Sequence, residues 1–180
     1  TEAQLTFGAI GAYGIKMQSE NGASDPVTIS FSLTATSGAE SLSAAVSAIN
    51  EQSSKTRVVA SLNSHASSLI LTNTTGNNIA IGSTGSANAG TVTMQKLVGD
   101  GSGSVTTAGT ATALAATTNV ENVGVSGYIT LDSDKSFSAV STTTTALGAA
   151  GATLNSGLKK VSDLDVTSFG KATLSLKTVD

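Results

Sequence analysis

The residues that could do chemistry in this sequence are few and lie far apart. His65, in the stretch LNSHASS, is the single histidine among 180 residues, and there is no cysteine. A zinc protease would need His-Glu-x-x-His, but Ala66 follows His65 and no second histidine exists. A serine hydrolase elbow of the form Gly-x-Ser-x-Gly is also missing. We therefore interpret His65 as a polar turn residue between two strands.

Two aspartates have the spacing with which a calcium-binding loop begins. Asp132 and Asp134 lie in LDSDKS, but an EF-hand loop continues with another oxygen ligand, a glycine and a distal glutamate. Lys135 and Phe137 occupy the next positions instead. These aspartates are better interpreted as charges at a hairpin tip, so the sequence predicts no metal site.

Phosphate-binding and basic motifs are equally weak. The glycines of GDGSGSVTTAG are not closed by Lys-Ser or Lys-Thr, as a phosphate-binding loop requires. Arg57 is the single arginine and is interpreted as a solvated residue at a strand end. Charged residues make up 12% of the chain, about half the average for globular domains. An active site needs titratable groups that perturb one another, so we predict no enzyme and no cofactor.

Charge and hydropathy also exclude several partners. The net charge of −3 supplies no basic surface for nucleic acid or anionic lipid. No apolar run approaches the roughly 18 residues of a membrane span, and TEAQLTFGAI has no secretion-signal pattern. Since aromatic residues make up only 3% of the chain, the core must consist mainly of Val, Ile, Leu and Ala.

The amino-terminal part of the chain alternates as β-strands do. Residues 5–34 are predicted to form strands joined by turns, and VTISFSLTA places apolar residues on one face. Pro26 stands at the entrance of that strand, where its missing N–H costs no ladder hydrogen bond. The apolar face consists of Val27, Ile29, Phe31 and Leu33.

One amphipathic helix follows, at about 40–54. Ser37 and Glu40 have the spacing of a capping box, and the apolar stripe after them recurs at i, i+3, i+4 and i+7. From Arg57 the period changes to two, which predicts a strand. The stripe comprises Leu42, Ala45, Val46 and Ile49, and the strand buries Val58, Ala60 and Leu62.

The rest of the sequence predicts hairpins and one long loop. A strand at 68–73 turns through Thr75-Gly76-Asn77 into a second strand at 78–82, and 91–98 is another strand. The Gly, Ser, Thr and Ala residues of 99–119 indicate a surface loop. The fold class is therefore α+β, mainly antiparallel strands with one packed helix.

The carboxyl-terminal third is lower in complexity. Strands at 125–133 and 135–140 are predicted to form a hairpin, and 141–157 is expected to lie outside the core. The final segment fits either a helix or a strand, and the local pattern does not decide between them.

A longer pattern resembles a known motif. AINEQSSKTRVVASLN followed by LILTNTTGNNIAI resembles the IN motif of bacterial flagellins, in which a helix carrying Ala-Ile-Asn leads into a strand and a Gly-Asn turn. Arg57 stands where that family usually has glycine, so the turn cannot rely on the conformational freedom of glycine. The matching residues are Ala48, Ile49, Asn50, Thr56, Val58, Ala60, Leu71, Gly76, Asn77 and Ile79.

Two further stretches are similar to flagellins and imply a domain organisation. GYITLDSDKSFSAV resembles the strand pair that ends this module, and SDLDVTSFGKATLSLKTVD resembles the return into the conserved rod domain, with a helix beginning after Thr167 or Ser168. The resemblance implies an outer, surface-exposed region at 1–161, in one lobe or in two joined near 99–125. Residues 162–180 would start the rod domain.

The resemblance also implies function and partners. It suggests a structural subunit of the extracellular flagellar filament, bound to other flagellin subunits through terminal segments that this chain lacks. The chain alone is then expected to be monomeric, with no nucleic acid or membrane partner and with Ser and Thr hydroxyls as candidate sites for O-glycans. Flagellar cap and hook-associated proteins share the motif and stay open as an alternative. A glycan-binding adhesin is another, although only Tyr13, Tyr128 and four Phe could stack on a sugar.

Overall fold

The computed structural model describes residues 1–99, 104–131, 133, 135–140, 153–157, 167 and 172. The chain divides into two compact units. The first comprises Thr1–Val98 and Thr107–Tyr128, and the second comprises Gly99–Thr106 and Ile129–Asp180.

The described elements are mostly antiparallel strands with two helices, which confirms the predicted α+β class. The strand pairs with a described register are all antiparallel. In chain order the elements are β1 (Glu2–Phe7), β2 (Gly11–Gln18), β3 (Val27–Leu33), α1 (Ala39–Asn50), α2 (Ser53–Thr56), β4 (Val59–Leu62), β5 (Leu69–Thr72), β6 (Ile79–Ser83), β7 (Val92–Gly99), β8 (Val105–Leu114), β9 (Asn122–Val125), β10 (Ser138–Val140) and β11 (Thr153–Asn155).

Two sheets share one core in the first unit. Sheet A has the order β4-β5-β1-β7-β8, and sheet B has the order β3-β2-β6-β9. Period-two alternation builds both sheets, because β1 buries Ala3, Leu5 and Phe7 while the residues between them stay partly exposed. In β3 the predicted face is also buried, at Ile29, Phe31 and Leu33.

A cluster of three aromatic rings lies within this core. The ring centroids of Phe7 and Tyr13 are 5.1 Å apart, and those of Phe7 and Phe31 are 5.5 Å apart, both with edge-to-face geometry. The hydroxyl of Tyr13 donates a 2.6 Å hydrogen bond to the carbonyl oxygen of Ala9, so the one polar atom of the cluster is satisfied. Because all three rings are buried, they offer no face on which a ligand could stack.

The predicted helix is present, but its predicted cap is wrong. Gly38, with φ of 97°, occupies the N-cap of α1, and no side chain caps the helix. A serine adopts this positive φ poorly, so the N-cap falls on the glycine one position after Ser37, and the helix begins at Ala39. The N–H of Gly38 donates to the carbonyl oxygen of Ala66 at 2.7 Å, which fixes the helix start on the β4–β5 connection.

Helix α1 packs against β3 and β4, which are end strands of the two sheets. Its buried side chains are Leu42, Ala45 and Ile49, the stripe that the helical period predicts, and Val46 is partly buried beside them. The helix thereby closes the side of the first unit on which β3 and β4 lie.

The predicted hairpin of 68–73 with 78–82 is wrong. β5 pairs with β1 and β4 in sheet A, whereas β6 pairs with β2 and β9 in sheet B. The turn at Gly76, with φ of 85°, therefore carries the chain from one sheet to the other. Turn chemistry predicts a reversal of the chain, but long-range pairing decides which sheet receives the next strand.

Two predictions for the second half of the chain are also wrong. The loop predicted at 99–119 contains the ten-residue strand β8, whose side chains are nearly all exposed, so the sequence shows no apolar alternation there. The predicted hairpin of 125–133 with 135–140 does not form, since β9 ends at Val125 and β10 pairs with β11. In the second unit, β10 and β11 form a two-stranded sheet, with Ser138 opposite Asn155.

Several predictions fall outside the described residues. The calcium-loop candidates Asp132 and Asp134 do so, as does most of the final segment at 162–180. Of the two N-cap candidates, only Thr167 is described.

We expect Leu42→Ala to lower the free energy of unfolding by about 2–5 kcal/mol, because it opens a cavity where α1 meets both sheets. Urea denaturation followed by circular dichroism would measure the change. Ser47→Ala, on the exposed face of the same helix, should change stability by less than about 0.5 kcal/mol. Equal losses for both variants would show that α1 does not hold the core together.

Candidate functional site

The end of α1 is joined to β4 by one side chain. The amide nitrogen Nδ2 of Asn50 donates to the carbonyl oxygen of Ala60 at 2.9 Å. The side-chain oxygen Oδ1 of Asn50 accepts a 2.7 Å hydrogen bond from the backbone N–H of Ala60. The carboxamide therefore makes the two-point contact that a backbone peptide group makes in a sheet.

This contact blocks the edge of sheet A. β4 is the end strand, and Ala60 lies opposite Leu71 of β5. Because Asn50 takes both backbone groups of Ala60, those groups point away from β5, toward where a further strand would add. Exposed strand edges invite pairing with other chains, and Asn50 occupies that position on a strand of only four residues.

Neighbouring residues hold Asn50 in place. Ile49 is completely buried in the shared core, and Ala48 is partly buried against it. Glu51 N–H donates to the carbonyl oxygen of Ser47 at 2.9 Å, so the last turn of α1 keeps its helical hydrogen bonding. The Ile-Asn pair thus combines an apolar anchor with a polar edge contact in consecutive residues.

A tight turn then reverses the chain from α2 into β4. Thr56 is fully buried, and its hydroxyl donates to the carbonyl oxygen of Gln52 at 3.0 Å while it accepts from the N–H of Val58 at 3.2 Å. Arg57 lies in the left-handed region at φ 58°, ψ 17°, and its N–H donates to Ser53 at 2.8 Å. Arginine thus adopts the conformation that glycine would adopt without strain.

The side chain of Arg57 reaches a small surface network. Its Nε lies 3.7 Å from Oε2 of Glu20, and the hydroxyl of Thr75 donates to Oε1 of the same carboxylate. The hydrogen bond from Thr75 is the main cause that lowers the pKa of Glu20 below its ordinary value near 4.5, and the charge of Arg57 adds to it. The carboxylate is therefore ionised at neutral pH.

Asn73 is a buried polar residue that the sequence reasoning missed. Its Oδ1 accepts from the N–H of Thr75 at 2.9 Å, and its Nδ2 donates to the hydroxyl of Ser19 at 2.9 Å. The side chain therefore joins the end of β5 to the end of β2, across the two sheets. Asn before Thr-Thr-Gly is a recognisable Asx-turn signal, but sequence does not reveal that the amide is buried.

The remaining residues of the predicted motif lie in a turn or in the hydrophobic core. Gly76 has φ of 85° in the turn after β5, and exposed Asn77 donates to the hydroxyl of Thr75 at 3.2 Å. The other members are buried in the core: Val58, Ala60, Leu71 and Ile79.

Of the histidine and the aspartates considered above as catalytic or metal-binding residues, only His65 is among the described residues. His65 is exposed in the β4–β5 connection, as predicted, with Nδ1 3.0 Å from the hydroxyl of Ser64. Within the described part of the chain, no three His, Cys, Asp or Glu side chains are grouped as metal ligands. No helix of the described residues is long and apolar enough to span a membrane.

The arrangement defines a class of domain first: two antiparallel sheets closed by a helix whose Ile-Asn end is fixed to an edge strand. Comparison with known families then identifies that region. Residues 19–75 match the family model described as the flagellin hook IN motif, so this part of the chain is flagellin-related. The matched range includes Glu20, Asn50, Arg57 and Asn73. No curated protein and no solved structure matches the chain significantly.

We expect Asn50→Asp to lower the free energy of unfolding by about 1–3 kcal/mol at neutral pH, because an ionised carboxylate cannot donate to the Ala60 carbonyl. The adjacent carbonyl should raise the pKa of the new carboxyl group, so the loss should shrink as the pH falls below that pKa. Urea denaturation across pH, relative to the unsubstituted chain, would measure it. Asn119→Asp, at an exposed residue, should show neither effect. A loss that does not depend on pH would contradict the donor role of Asn50.

At the turn, we expect Arg57→Gly to be more stable than Arg57→Ala by about 1 kcal/mol. Both variants lose the contact with Glu20, but only glycine adopts the left-handed conformation freely. Thermal melts of the two variants would give the difference. An alanine variant as stable as the glycine variant would show that the backbone at this position carries no strain.

Proposed function

We propose that this chain is a surface-exposed, variable region of a bacterial flagellin and forms part of the outside of the flagellar filament. The observation that carries the proposal is the match of residues 19–75 to the flagellin hook IN motif. Within that range, hydrogen bonds of Asn50, Thr56 and Asn73 fix a helix and a tight turn onto the edge of a sheet. We infer that this is the structural role of the motif.

The chemistry of the described residues agrees with a structural role. Polar side chains of the motif bond mainly to backbone groups and to one another, as Asn50 does to Ala60. The aromatic cluster of Phe7, Tyr13 and Phe31 is buried, so three of the six aromatic rings in the sequence offer no stacking face of the kind that a glycan-binding adhesin would need. Assembly into the filament would depend on segments outside these 180 residues.

Labelling of intact flagella tests the proposal and separates it from its nearest alternatives. Antibodies raised against the purified chain should bind along the whole length of the filament in electron micrographs of the source bacterium. Serum from which the chain-specific antibodies have been removed on immobilised chain provides the control. Labelling restricted to the tip would identify a cap protein, and labelling restricted to the junction with the hook would identify a hook-associated protein. Flagella without any label would overturn the proposal.

A further inference from the structure

The two edges of sheet A differ in how they are protected. The edge at β4 is short and is occupied by Asn50, and α1 packs beside it. Among the described strands, β8 forms the other edge and has ten residues, Val105–Leu114. In the described part of the chain, both helices lie between β3 and β4 in sequence, and α1 packs against those strands.

The composition of β8 lacks the usual safeguards of an edge strand. Its sequence, VTTAGTATAL, contains no charged residue and no proline. Protected edges are usually short, or carry lysine, proline or inward-pointing charges. Most side chains of β8 are exposed, and nearly all are Thr, Ala or Val. Thr and Val favour an extended conformation, and Ala leaves space for a neighbouring strand.

One feature of β8 does interrupt the edge. Gly109 has φ of 70°, and a glycine with positive φ inside a strand marks a bulge. Gln95 of β7 fixes this point, since its Nε2 donates to the carbonyl oxygens of Ala108 at 2.8 Å and Gly109 at 3.0 Å. The bulge leaves the five residues from Thr110 to Leu114 as an uninterrupted strand.

The two faces of this five-residue segment are distinct. Thr110 and Thr112 line a cavity of about 200 Å³ between β8 and β9, and Leu114 is fully buried. Ala111 and Ala113 therefore face the opposite way, and both are exposed. On that face, their small uncharged side chains would neither clash with nor repel the side chains of a strand added beside β8.

We propose that the outer edge of β8, centred on Thr110–Leu114, pairs antiparallel with the same edge of a second copy of this chain. An uncharged strand of small side chains is compatible with itself, because antiparallel pairing places no like charges opposite each other. The choice of a second copy rests on the proposed function, since a filament displays identical edges at high local concentration.

The size of the contact limits its strength. A pair of five-residue strands buries on the order of several hundred Å² summed over both partners, less than the roughly 1,200 Å² in total of a stable interface. The isolated chain should therefore be monomeric at micromolar concentration and associate reversibly at millimolar concentration. Copies held side by side in a filament would have a local concentration in the millimolar range.

Sedimentation equilibrium of the chain from micromolar to millimolar concentration tests the proposal, together with amide NMR shifts over the same range. We expect a reversible dimer whose concentration-dependent shifts lie on Thr110–Leu114. Thr107→Lys combined with Ala111→Lys places like charges at the edge and should weaken association by at least about tenfold. Ala12→Lys, at an exposed position of the central strand β2, is a control with the same type of charge and should leave association unchanged.

Several results would overturn the inference. These are a chain that stays monomeric at millimolar concentration, shifts confined to other strands, or equal weakening by the β8 variant and the control. Matching melting curves of the variants would exclude unfolding as the cause. Its failure is also separable from failure of the proposed function: labelled filaments with a strictly monomeric chain would overturn only the edge pairing, and a dimer with unlabelled flagella would overturn only the filament role.

Discussion

The two sheets share a single hydrophobic core, and one side of it is closed by the two hydrogen bonds between the Asn50 side chain and the backbone of Ala60. The carboxamide satisfies a strand edge and fixes the end of α1 at the same point. Because Ile49 precedes it, the position of the helix and the burial of an apolar side chain are determined together. Truncation of Asn50 would leave a partly buried donor and acceptor on β4 unpaired, a loss that apolar packing does not replace.

The scarcity of large side chains makes the fold depend on close backbone approach. A Cβ atom at Gly90 would lie 2.6 Å from the backbone nitrogen of Ala9, and one at Gly127 would lie 2.5 Å from the carbonyl oxygen of Gly76. Such contacts are shorter than real Cβ atoms allow, so the chain segments on either side meet backbone to backbone.

Sequence patterns predict a helix or strand correctly where one of its faces is buried. They do not predict an element that is exposed along most of its length. β3 and α1 were predictable, because Ile29, Phe31, Leu42 and Ile49 recur at the period of their element. β8 was not, since an edge strand exposed along nearly its whole length has no apolar alternation. Turn chemistry located the reversal at Gly76, but nothing local indicates that the next strand joins the other sheet.

The residues of the motif were found by their pattern, whereas their contacts were not. The partner of Asn50 is a backbone group ten residues away, and a backbone partner leaves no mark on residue type. Asn73 escaped notice for the same reason, because its main partners are a backbone N–H and a serine. Arg57 was correctly singled out as a non-glycine residue at a turn, and its positive φ gives the structural reason.

The path of the chain between the sheets has a consequence for how the protein folds. β1 pairs with β5 and β7, so Leu5 lies opposite both Leu69 and Met94, and sheet B is completed only when Val125 joins Ile79. Pairings between residues so distant in sequence are slow to form, because loop closure costs entropy before any contact stabilises it. A chain that ends before β5 therefore contains neither of the two strands with which β1 pairs. The two sheets can therefore be completed only when almost the whole first unit is present.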